Sequence, residues 1–279
     1  MPARLPPFGI VIPVRNEAAA LRETVPALLT ETKGLPARPV WVCNDCCDDS
    51  ANVIRALAGP DTVIIVLPRP GKTAALQAGD DALEGLFPRL YLDADVTLSK
   101  GGLNALLRPL LDGQADLVAA RRIHTAHGVS ALSAAMARTW DTLPFAQQTA
   151  FLGAVGVSKA GRTNWRRWPD IMGDDGFMAA RIAPHRRLMV PQVTASTRPP
   201  ANFLGWVRMR ARWLQGEAEL RAMGLNAPKA PGQRNALLRQ MLTPADALGA
   251  WAFAAARLLA PLARKPAASD WRPDRRGWS

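Results

Sequence analysis

Between residues 8 and 120, apolar and polar positions alternate in blocks that predict strands and helices in turn. Short runs made almost only of apolar residues are typical of strands, whereas apolar residues that recur every three or four positions are typical of helices. Pro13 is expected to end the first strand and Asn16 to cap the first helix. The predicted strands cover residues 8–12, 40–43, 62–67, 90–92 and 117–120. The predicted helices run from residue 17 to Gly34, around residues 53–57, from 72 to 83 and from 102 to 111.

This alternation with short connections predicts an α/β fold, with a Rossmann-like, mostly parallel sheet and helices on both of its faces. Because the predicted strands are so apolar, we expect them to be buried on both faces. After Arg121 the pattern becomes irregular, and we predict an α/β domain over residues 1–225 and a helical, basic tail over residues 226–279. The elements still recognisable after Arg121 are helices over residues 130–143 and 202–220, a strand over 187–194 and a linker at 228–233.

The charge of the chain narrows the class of partner. Its 279 residues carry a formal net charge of +12, which favours an anionic partner such as nucleotide phosphates, nucleic acid or an anionic membrane surface. The charge alone does not choose among them. The segment around Pro6 lacks the pattern of a signal peptide, and no run reaches the roughly eighteen apolar residues of a spanning helix.

Cysteine usage points to a reducing compartment. The three cysteines, Cys43, Cys46 and Cys47, lie in one short stretch and lack a second cluster that would complete a zinc site. We interpret them as small buried hydrophobic residues, and we treat His124 and His127 as ordinary polar residues. A cytoplasmic protein is expected, with peripheral binding to the inner face of the cell membrane as an added hypothesis.

Acidic residues follow two of the predicted strands, at the edge where open α/β sheets bind ligands. Asp45 comes after the second strand, and Asp93 and Asp95 come after the fourth, so they should lie at the same edge of the sheet. Carboxylates suit Mg²⁺ or Mn²⁺, which bind one or two protein carboxylates together with substrate phosphates. The alternative is a polar strand end without a metal. A third pair, Asp174 and Asp175, precedes a short predicted helix, for which helix capping is an equal interpretation.

Six short motifs resemble, in the same order, those of the family 2 glycosyltransferases. They are Ile12-Pro13-Val14-Arg15-Asn16-Glu17, Asn44-Asp45, Gly71-Lys72, Leu92-Asp93-Ala94-Asp95, Gly173-Asp174-Asp175-Gly176-Phe177 and Arg212-Trp213. Each motif is weak alone, but six in register are specific. Two positions depart from the family pattern, because Asp174 stands where Glu is more common and Met209 stands where the last motif usually begins with Gln.

This resemblance, which covers about residues 8–220, implies a GT-A fold and a hexosyltransferase-like, metal-dependent enzyme that transfers sugar with inversion from a nucleotide-diphospho-sugar. Carried over by position, Asp45 would contact the base or ribose and Asp93 the ribose or metal-bound water. Asp95 would bind Mg²⁺ or Mn²⁺. Asp175 would be the general base on the acceptor hydroxyl, with Asp174 as the fallback.

Other positions of the motifs have alternatives that the sequence leaves open. The resemblance also assigns Pro13, Arg15 and Glu17 to the donor nucleotide site. Lys72 is either close to the donor or part of a solvated helix start. Arg212 suits a grip on the diphosphate or acceptor, with Trp213 as packing or a sugar-stacking face; the alternative is an amphipathic core helix with a solvated Arg edge.

We expect a single transfer to a hydroxyl of a cell-envelope glycan or lipid, because the membrane helices of processive synthases are not recognised here. One alternative is a sugar-nucleotide nucleotidyltransferase, which would carry a Gly-rich basic loop where this chain has residues 13–17. Another is a basic nucleic-acid-binding protein, but no recognition signature supports a nucleic-acid partner.

The aromatic residues raise two further questions. Trp140, Trp165 and Trp168 could line an acceptor site or pack in the core. Near the C-terminus, Trp271 and Trp278 stand among arginines, which favours contact with an anionic membrane. The alternative is a packed helix followed by a disordered basic end.

Overall fold

The computed structural model describes residues 5–148 and 151–263, which form one eight-stranded mixed sheet covered by helices. The order of the strands in the sheet is β3-β2-β1-β4-β7-β6-β8-β5. The strands are β1 (Phe8–Val14), β2 (Ala37–Asn44), β3 (Val63–Leu67), β4 (Arg89–Leu92), β5 (Thr97–Leu98), β6 (Leu117–His124), β7 (Ala154–Val157) and β8 (Arg187–Thr197). The helices are α1 (Ala18–Thr32), α2 (Ser50–Ala58), α3 (Lys72–Ala82), α4 (Gly102–Leu111), α5 (Ala131–Thr142), α6 (Pro144–Gln148), α7 (Lys159–Arg162), α8 (Asp174–Arg181), α9 (Phe203–Ala222), α10 (Gln233–Leu242) and α11 (Ala247–Leu259). Short 3₁₀ helices lie at Pro184–Arg186 and Ala260–Ala263.

The predicted α/β architecture is confirmed. Strands β1 to β4 run parallel to one another, and β6 pairs in parallel with β8. The sheet becomes mixed because β7 lies antiparallel between β4 and β6, and β5 pairs antiparallel with β8. Gly156 allows β7 to occupy this central place, since a Cβ there would lie 2.7 Å from the Leu90 side chain and 2.8 Å from that of Val118.

The expectation of strands buried on both faces is wrong for β3. Among the described residues this strand pairs only with β2, at one end of the sheet, so Val63 and Val66 remain 50% and 64% exposed. The central strands β1 and β4 are buried along their whole length, as expected.

The first turn of the chain differs from the sequence prediction. Pro13 does not end β1, which continues to Val14. The pairing of β1 with β4 ends at Val11. Pro13 therefore lies where no β4 residue needs its N–H, and the missing donor is tolerated. Asn16 does not cap α1 either, because it adopts a positive φ of 54° and its side chain accepts a hydrogen bond from Cys47 N–H. The N-cap of α1 is Glu17. The N–H groups of Glu17 and Ala18 are satisfied by side-chain oxygens at the start of α2, since they donate to Ser50 Oγ and Asp48 Oδ2.

In the part of the chain that the structure describes, three apolar clusters hold the elements together. Two of them contain the inward-facing side chains of the central strands and of the helices packed on the sheet. The third joins α5, α6, α9 and α11 around Trp140, Trp206 and Phe253. Trp140, Trp165 and Trp168 are all buried, which favours the core-packing interpretation of these tryptophans.

The C-terminal helices pack directly on this third cluster. Gly249 of α11 lies so close to α5 that a Cβ would be 2.5 Å from the Ala135 carbonyl oxygen. The division of the chain at residue 225 stays a prediction. The tail residues Trp271 and Trp278 lie outside the described residues. Within the described ranges, no helix combines the length and apolar character needed to cross a membrane.

Candidate active site

The carboxyl ends of β1, β2 and β4 meet at one edge of the sheet, as expected for parallel neighbours. Asn44 is fully buried there and links three segments. Its Nδ2 donates to the Val14 carbonyl at 3.3 Å, and its Oδ1 accepts the Gly71 N–H at 2.9 Å. The start of α3, and with it Lys72, is therefore fixed against the ends of β1 and β2.

Lys72 is the centre of the site. Its Nζ lies 2.8 Å from Asp93 Oδ1 and 2.9 Å from Asp174 Oδ2, and its side chain is only 14% exposed. The interpretation of Lys72 as a solvated helix start is wrong, because two carboxylates draw the ammonium group inward. Burial opposes its charge, but Asp174 and Asp93 outweigh that effect and raise the pKa of Lys72 well above its ordinary value.

Four carboxylates, those of Asp93, Asp95, Asp174 and Asp175, form what we call the acidic cluster. Burial by itself would raise the pKa of Asp93, but Lys72 and Arg122 hold it below the ordinary value. Burial, reinforced by the charge of Asp93, raises the pKa of Asp95. Burial also raises the pKa of Asp174, although Lys72 partly offsets it. Burial and the neighbouring Asp174 charge raise the pKa of Asp175 well above that of an ordinary aspartate.

Arg122 is a functional candidate that the sequence interpretation missed. It lies on the extension of β6 beyond the predicted end at residue 120, and it interacts electrostatically with Asp93, Asp95 and Asp175. Its Nε is buried and has no hydrogen-bond partner among the described residues. A Cβ on Gly153 would lie 3.5 Å from Asp93 and 3.8 Å from Arg122, so this glycine leaves room between them.

Asp95 is held by a residue from the end of β8. Its Oδ2 accepts a hydrogen bond of 2.6 Å from Thr197 Oγ1. Thr197 lies far along the chain from Asp95 and is itself buried. The bond fixes one oxygen of Asp95 and holds the acidic residues that follow β4 close to the end of β8.

Asp174 and Asp175 are the first two residues of α8, and Gly173 is the N-cap. The interpretation of these aspartates as helix caps is therefore wrong. Their position is set by α9, since a Cβ on Gly216 would lie 3.0 Å from the Gly173 Cα. The carboxylate of Glu219 also accepts the N–H of Met172 at 2.6 Å. Both contacts clamp the loop that carries the acidic pair.

A small cavity opens among these groups. The residues that line it are Pro13, Lys72, Leu76, Tyr91, Leu92, Asp93, Gly153, Asp174 and Asp175. Three of the predicted motifs thus contribute side chains to one cavity, together with Pro13 from a fourth. Apart from the Tyr91 hydroxyl, its polar side chains are one ammonium group and three carboxyl groups, which suit a polar, anionic or metal-bound ligand better than an apolar one.

Arg15 and Asp45 form a second polar group at the end of β2. Their side chains make an ion pair of 2.7 Å, with Arg15 buried and Asp45 partly exposed. Asp45 adopts a positive φ of 51°, and its N–H donates to the Leu67 carbonyl. Glu17 is buried, and its N–H donates to Ser50 Oγ. The structure thus brings the first two predicted motifs together, as their order along the sheet implies.

Arg212 and Trp213 lie in the middle of α9, both partly exposed. The ring of Trp213 lies 6.3 Å from that of Trp140, and it packs with Met209 on the third apolar cluster. This contact favours packing as the role of Trp213. Arg212 precedes Gly216, the contact point with Gly173, by one helical turn.

A buried network that the sequence did not indicate positions α3. Asp80 accepts hydrogen bonds from Arg89, Tyr91, Arg162 and Trp168, at distances of 2.7 to 2.9 Å. These donors come from β4, α7 and the segment that precedes α8. The network therefore fixes the helix that carries Lys72 relative to the segment that leads to Asp174.

The environments of the three cysteines and of His124 differ from those predicted. Cys43 is buried, but Cys46 is partly exposed and Cys47 is exposed, so the hydrophobic interpretation holds only for Cys43. A hydrogen bond from Cys43 lowers the pKa of Cys46 to about 7.

His124 is buried between Trp140 and Trp206, and its Nδ1 lies 2.7 Å from Asp141. Burial lowers the pKa of His124 despite this contact.

The acidic cluster fits a divalent cation by charge. It places four carboxyl groups around two cationic side chains, Lys72 and Arg122, so negative charge is in excess when all four are ionised, and a bound cation would favour that ionised state. Within residues 5–148 and 151–263, no three or more His, Cys, Asp and Glu side chains form a complete metal site. Mg²⁺ and Mn²⁺ sites that share substrate phosphates need only one or two protein carboxylates, and Asp93 and Asp95 meet that requirement.

Comparisons with known proteins agree with this architecture. The sequence profile described as "Glycosyl transferase family 2" matches residues 9–167. That range includes the first four motifs and ends before Asp174 and Arg212. A comparison with curated protein sequences gives no significant match.

Solved structures of similar fold come from several organisms. A mannosyltransferase of Pyrobaculum calidifontis, solved with GDP-Man and Mn²⁺, is 20% identical, with a TM-score of 0.60 over 95% of this chain and 77% of that one. S. aureus TarS 1–349 is 12% identical, with a TM-score of 0.52 over 93% and 92%. Glucosyl-3-phosphoglycerate synthase of Mycobacterium tuberculosis, solved with Mn²⁺, UDP and phosphoglyceric acid, is 18% identical, with a TM-score of 0.50 over 75% and 77%. At these identities the likeness shows a shared fold.

Proposed function

The chain belongs to glycosyl transferase family 2, and we propose that it moves one sugar, with inversion, from a nucleotide-diphospho-sugar to a hydroxyl of a cell-envelope glycan or lipid. The observation that carries this proposal is the contact of Lys72 with both Asp93 and Asp174, which gathers three separate motifs around one cavity. The GDP-Man and UDP complexes of proteins with this fold support a nucleotide-sugar donor.

The donor nucleotide lies at the ends of β1 and β2. Asp45 accepts hydrogen bonds from the base or ribose and is held for that role by Arg15, whose side chain lies 2.7 Å away. Pro13 and Glu17 shape the strand end beneath the nucleotide. Asp93, at the end of β4, meets the ribose, while Lys72 faces the phosphates from the start of α3. Lys72 can exchange part of its contact with carboxylates for contact with phosphate oxygens, because both are anionic acceptors.

Asp95, with Asp93 beside it, would hold Mg²⁺ or Mn²⁺, and the donor phosphates would supply further oxygen ligands. Both side chains offer hard oxygen ligands, and a cation beside Asp95 would offset the burial and the Asp93 charge that raise the pKa of Asp95. When bound, the ion neutralises charge that develops on the departing diphosphate. The hydrogen bond from Thr197 holds one oxygen of Asp95 in place for this role.

Asp175 is the general base. It takes the proton of the acceptor hydroxyl while the acceptor oxygen forms a bond to the anomeric carbon. On the opposite side the bond from that carbon to the diphosphate breaks, and the nucleoside diphosphate leaves with the electron pair. The raised pKa of Asp175 suits a base that works close to neutral pH. Asp174 is less suited to the role because its Oδ2 is paired with Lys72.

Arg122 stabilises the leaving group. Its side chain faces the acidic cluster, and its buried Nε offers a donor that no described residue uses. A guanidinium group matches the geometry of phosphate oxygens and stays charged at every relevant pH. Arg212 on α9 serves as a further contact to the diphosphate or to the acceptor.

The test is a thermal-shift screen followed by product analysis. UDP, GDP and their sugar conjugates are added with and without Mn²⁺, and an oligonucleotide of equal phosphate content serves as the comparison. We expect stabilisation by one nucleotide diphosphate that depends on Mn²⁺. Product formed from that donor should show the opposite anomeric configuration by NMR. Retained configuration would contradict inversion, and stabilisation only by the oligonucleotide would contradict the proposed donor.

A further inference from the structure

Helices α10 and α11 and the 3₁₀ helix that follows them expose apolar side chains of a kind that folded proteins usually bury. Leu242, Leu258 and Leu262 are 82%, 79% and 84% exposed, so they make almost no contact with the rest of the protein. We call this surface the C-terminal apolar face. Its members are Leu238, Leu242, Leu248, Trp251, Leu258, Leu259 and Leu262. Several large exposed apolar side chains on helices that pack against one another are typical of an interaction site.

The orientation of α11 is fixed by its packing, so this face cannot turn inward. Gly249, Ala250, Phe253 and Ala256 are buried against α5 and α9. Leu248, Trp251 and Leu258 alternate with these residues at helical spacing and point away from them. The helix is therefore apolar on both sides, with one side packed on the protein and the other side uncovered by the described residues.

We propose that the C-terminal apolar face binds an anionic lipid bilayer, with α10 and α11 lying in the plane of the interface. Charge supports this choice of partner. Residues 226–279 contain nine Lys or Arg and only three Asp. Arg234 and Arg239 lie on α10 itself, and Arg264 and Lys265 follow the face directly in the sequence. Leucines and a tryptophan bordered by basic residues have the composition of helices that bind membrane surfaces.

Length supports an in-plane arrangement. Helix α11 has 13 residues, which at about 1.5 Å per residue gives roughly 20 Å, against about 30 Å for the hydrocarbon core of a bilayer. Exposed leucines on one face can enter the boundary between headgroups and acyl chains while the opposite face remains packed on α5. This arrangement would hold the protein at the membrane without a spanning segment.

Other occupants fit the surface less well. A second copy of the chain would bring two basic surfaces together, which like-charge repulsion disfavours. The chain's own residues 264–279 contain five basic residues and only two large apolar ones, Trp271 and Trp278, so their composition is poorly suited to covering seven apolar side chains. An anionic bilayer would bury the apolar side chains and attract the basic residues around them.

The experiment measures co-sedimentation of the full chain with vesicles of phosphatidylcholine alone and of phosphatidylcholine mixed with phosphatidylglycerol. The test variant is Leu258→Glu with Leu262→Glu. The matched control is Leu57→Glu, which places the same charge on an exposed leucine of α2. Thermal unfolding verifies that both variants are folded. A second variant, Arg234→Gln with Arg239→Gln, tests the charge contribution.

We expect the wild type and Leu57→Glu to sediment with the mixed vesicles, and added salt to weaken this binding. The double leucine variant should bind at least about tenfold less, since two charges would have to enter the apolar boundary. The double arginine variant should lose affinity for mixed vesicles only. Equal binding of wild type and the double leucine variant would overturn the proposal. Equal binding of the wild type to both kinds of vesicle would also overturn it. So would a wild type that binds neither vesicle but forms a dimer, if the double leucine variant is a monomer.

Discussion

The ammonium nitrogen of Lys72 lies 2.9 Å from Oδ2 of Asp174, which joins the first residue of α3 to the first residue of α8. The two residues are about a hundred positions apart in the sequence. Asp93, at the end of β4, completes the contact on the other side of the ammonium group. One buried cation thus holds the proposed donor side and the proposed base side of the cavity together.

Replacing Lys72 by Met should destabilise the protein by roughly 3 kcal/mol, because it leaves carboxylates buried without their partner. The measurement is the urea midpoint at pH 7. Lys100→Met is the control, since it removes the same charge from an exposed position. We expect the control to stay within about 0.5 kcal/mol of the wild type. A Lys72→Met midpoint equal to that of the control would show that the buried contact does not support the fold.

The sequence predicted the parallel part of the sheet well because its signal is local. Each of β1 to β4 is a short apolar run followed by a polar loop, and that pattern is preserved when the strands pair. The antiparallel insertion β7 escaped prediction because Gly153 and Gly156 resemble breaks in a strand. In the structure they are positions of close approach, beside Asp93 and between Leu90 and Val118. Glycine is found both where a strand breaks and where another segment packs closely against a strand. The sequence alone does not distinguish the two cases, because the difference depends on the neighbouring side chains in the fold.

Local sequence patterns also do not show which charged residues of the site are buried. The spacing of Asp93 and Asp95 after an apolar run indicated a binding edge, and the structure places both at such an edge. Lys72 and Asp80 both lie on α3, where charged residues are usually solvated, yet each is buried by partners from distant segments. Arg122 was missed because β6 continues four residues beyond its apolar run. Burial of a charge depends on long-range partners, which local periodicity does not reveal.

Asp95→Asn should abolish the metal dependence of donor binding, because the amide replaces a charged oxygen ligand with a neutral one. Isothermal calorimetry with the active nucleotide diphosphate, with and without Mn²⁺, measures the effect. Asp49→Asn is the control, since Asp49 is an exposed residue at the start of α2. If Asp95→Asn keeps the full Mn²⁺-dependent affinity, the metal assignment fails.

Arg122→Met should weaken binding of the nucleotide diphosphate by about tenfold to a hundredfold, the usual worth of hydrogen bonds to a charged group. Arg121→Met is the matched control, because neighbouring residues of a strand point to opposite faces of the sheet. Arg122→Lys should recover part of the affinity by keeping the charge. Equal losses in Arg121→Met and Arg122→Met would indicate a general effect of basic charge and not a contact with phosphate.

Cys46 should be the most reactive of the three cysteines. Its pKa of about 7 means that the fraction of reactive thiolate increases as the pH rises through neutrality. A hydrogen bond to Cys46, reinforced by burial, raises the pKa of Cys43 and keeps that thiol protonated. Alkylation by iodoacetamide, followed site by site with mass spectrometry from pH 5.5 to 8.5, should show a midpoint close to 7 for Cys46. Because Cys46 adjoins Asp45, bound nucleotide diphosphate should slow the reaction. Faster alkylation of Cys43 at neutral pH would contradict this order.

Asp175→Asn should reduce turnover by roughly a hundredfold or more, because the amide keeps the shape of the side chain but cannot accept the acceptor's proton. Donor and metal affinity should stay close to wild type, since the lost interaction belongs mainly to the transition state. In the wild type, the raised pKa of Asp175 should place the acidic limb of the pH–rate profile above the range of an ordinary aspartate, because only the ionised form acts as a base. Asp174→Asn removes one partner of Lys72 and should therefore lower stability as well as activity. Normal turnover in Asp175→Asn with an inactive, folded Asp174→Asn would assign the base to Asp174, and activity in both would refute a direct displacement assisted by either carboxylate.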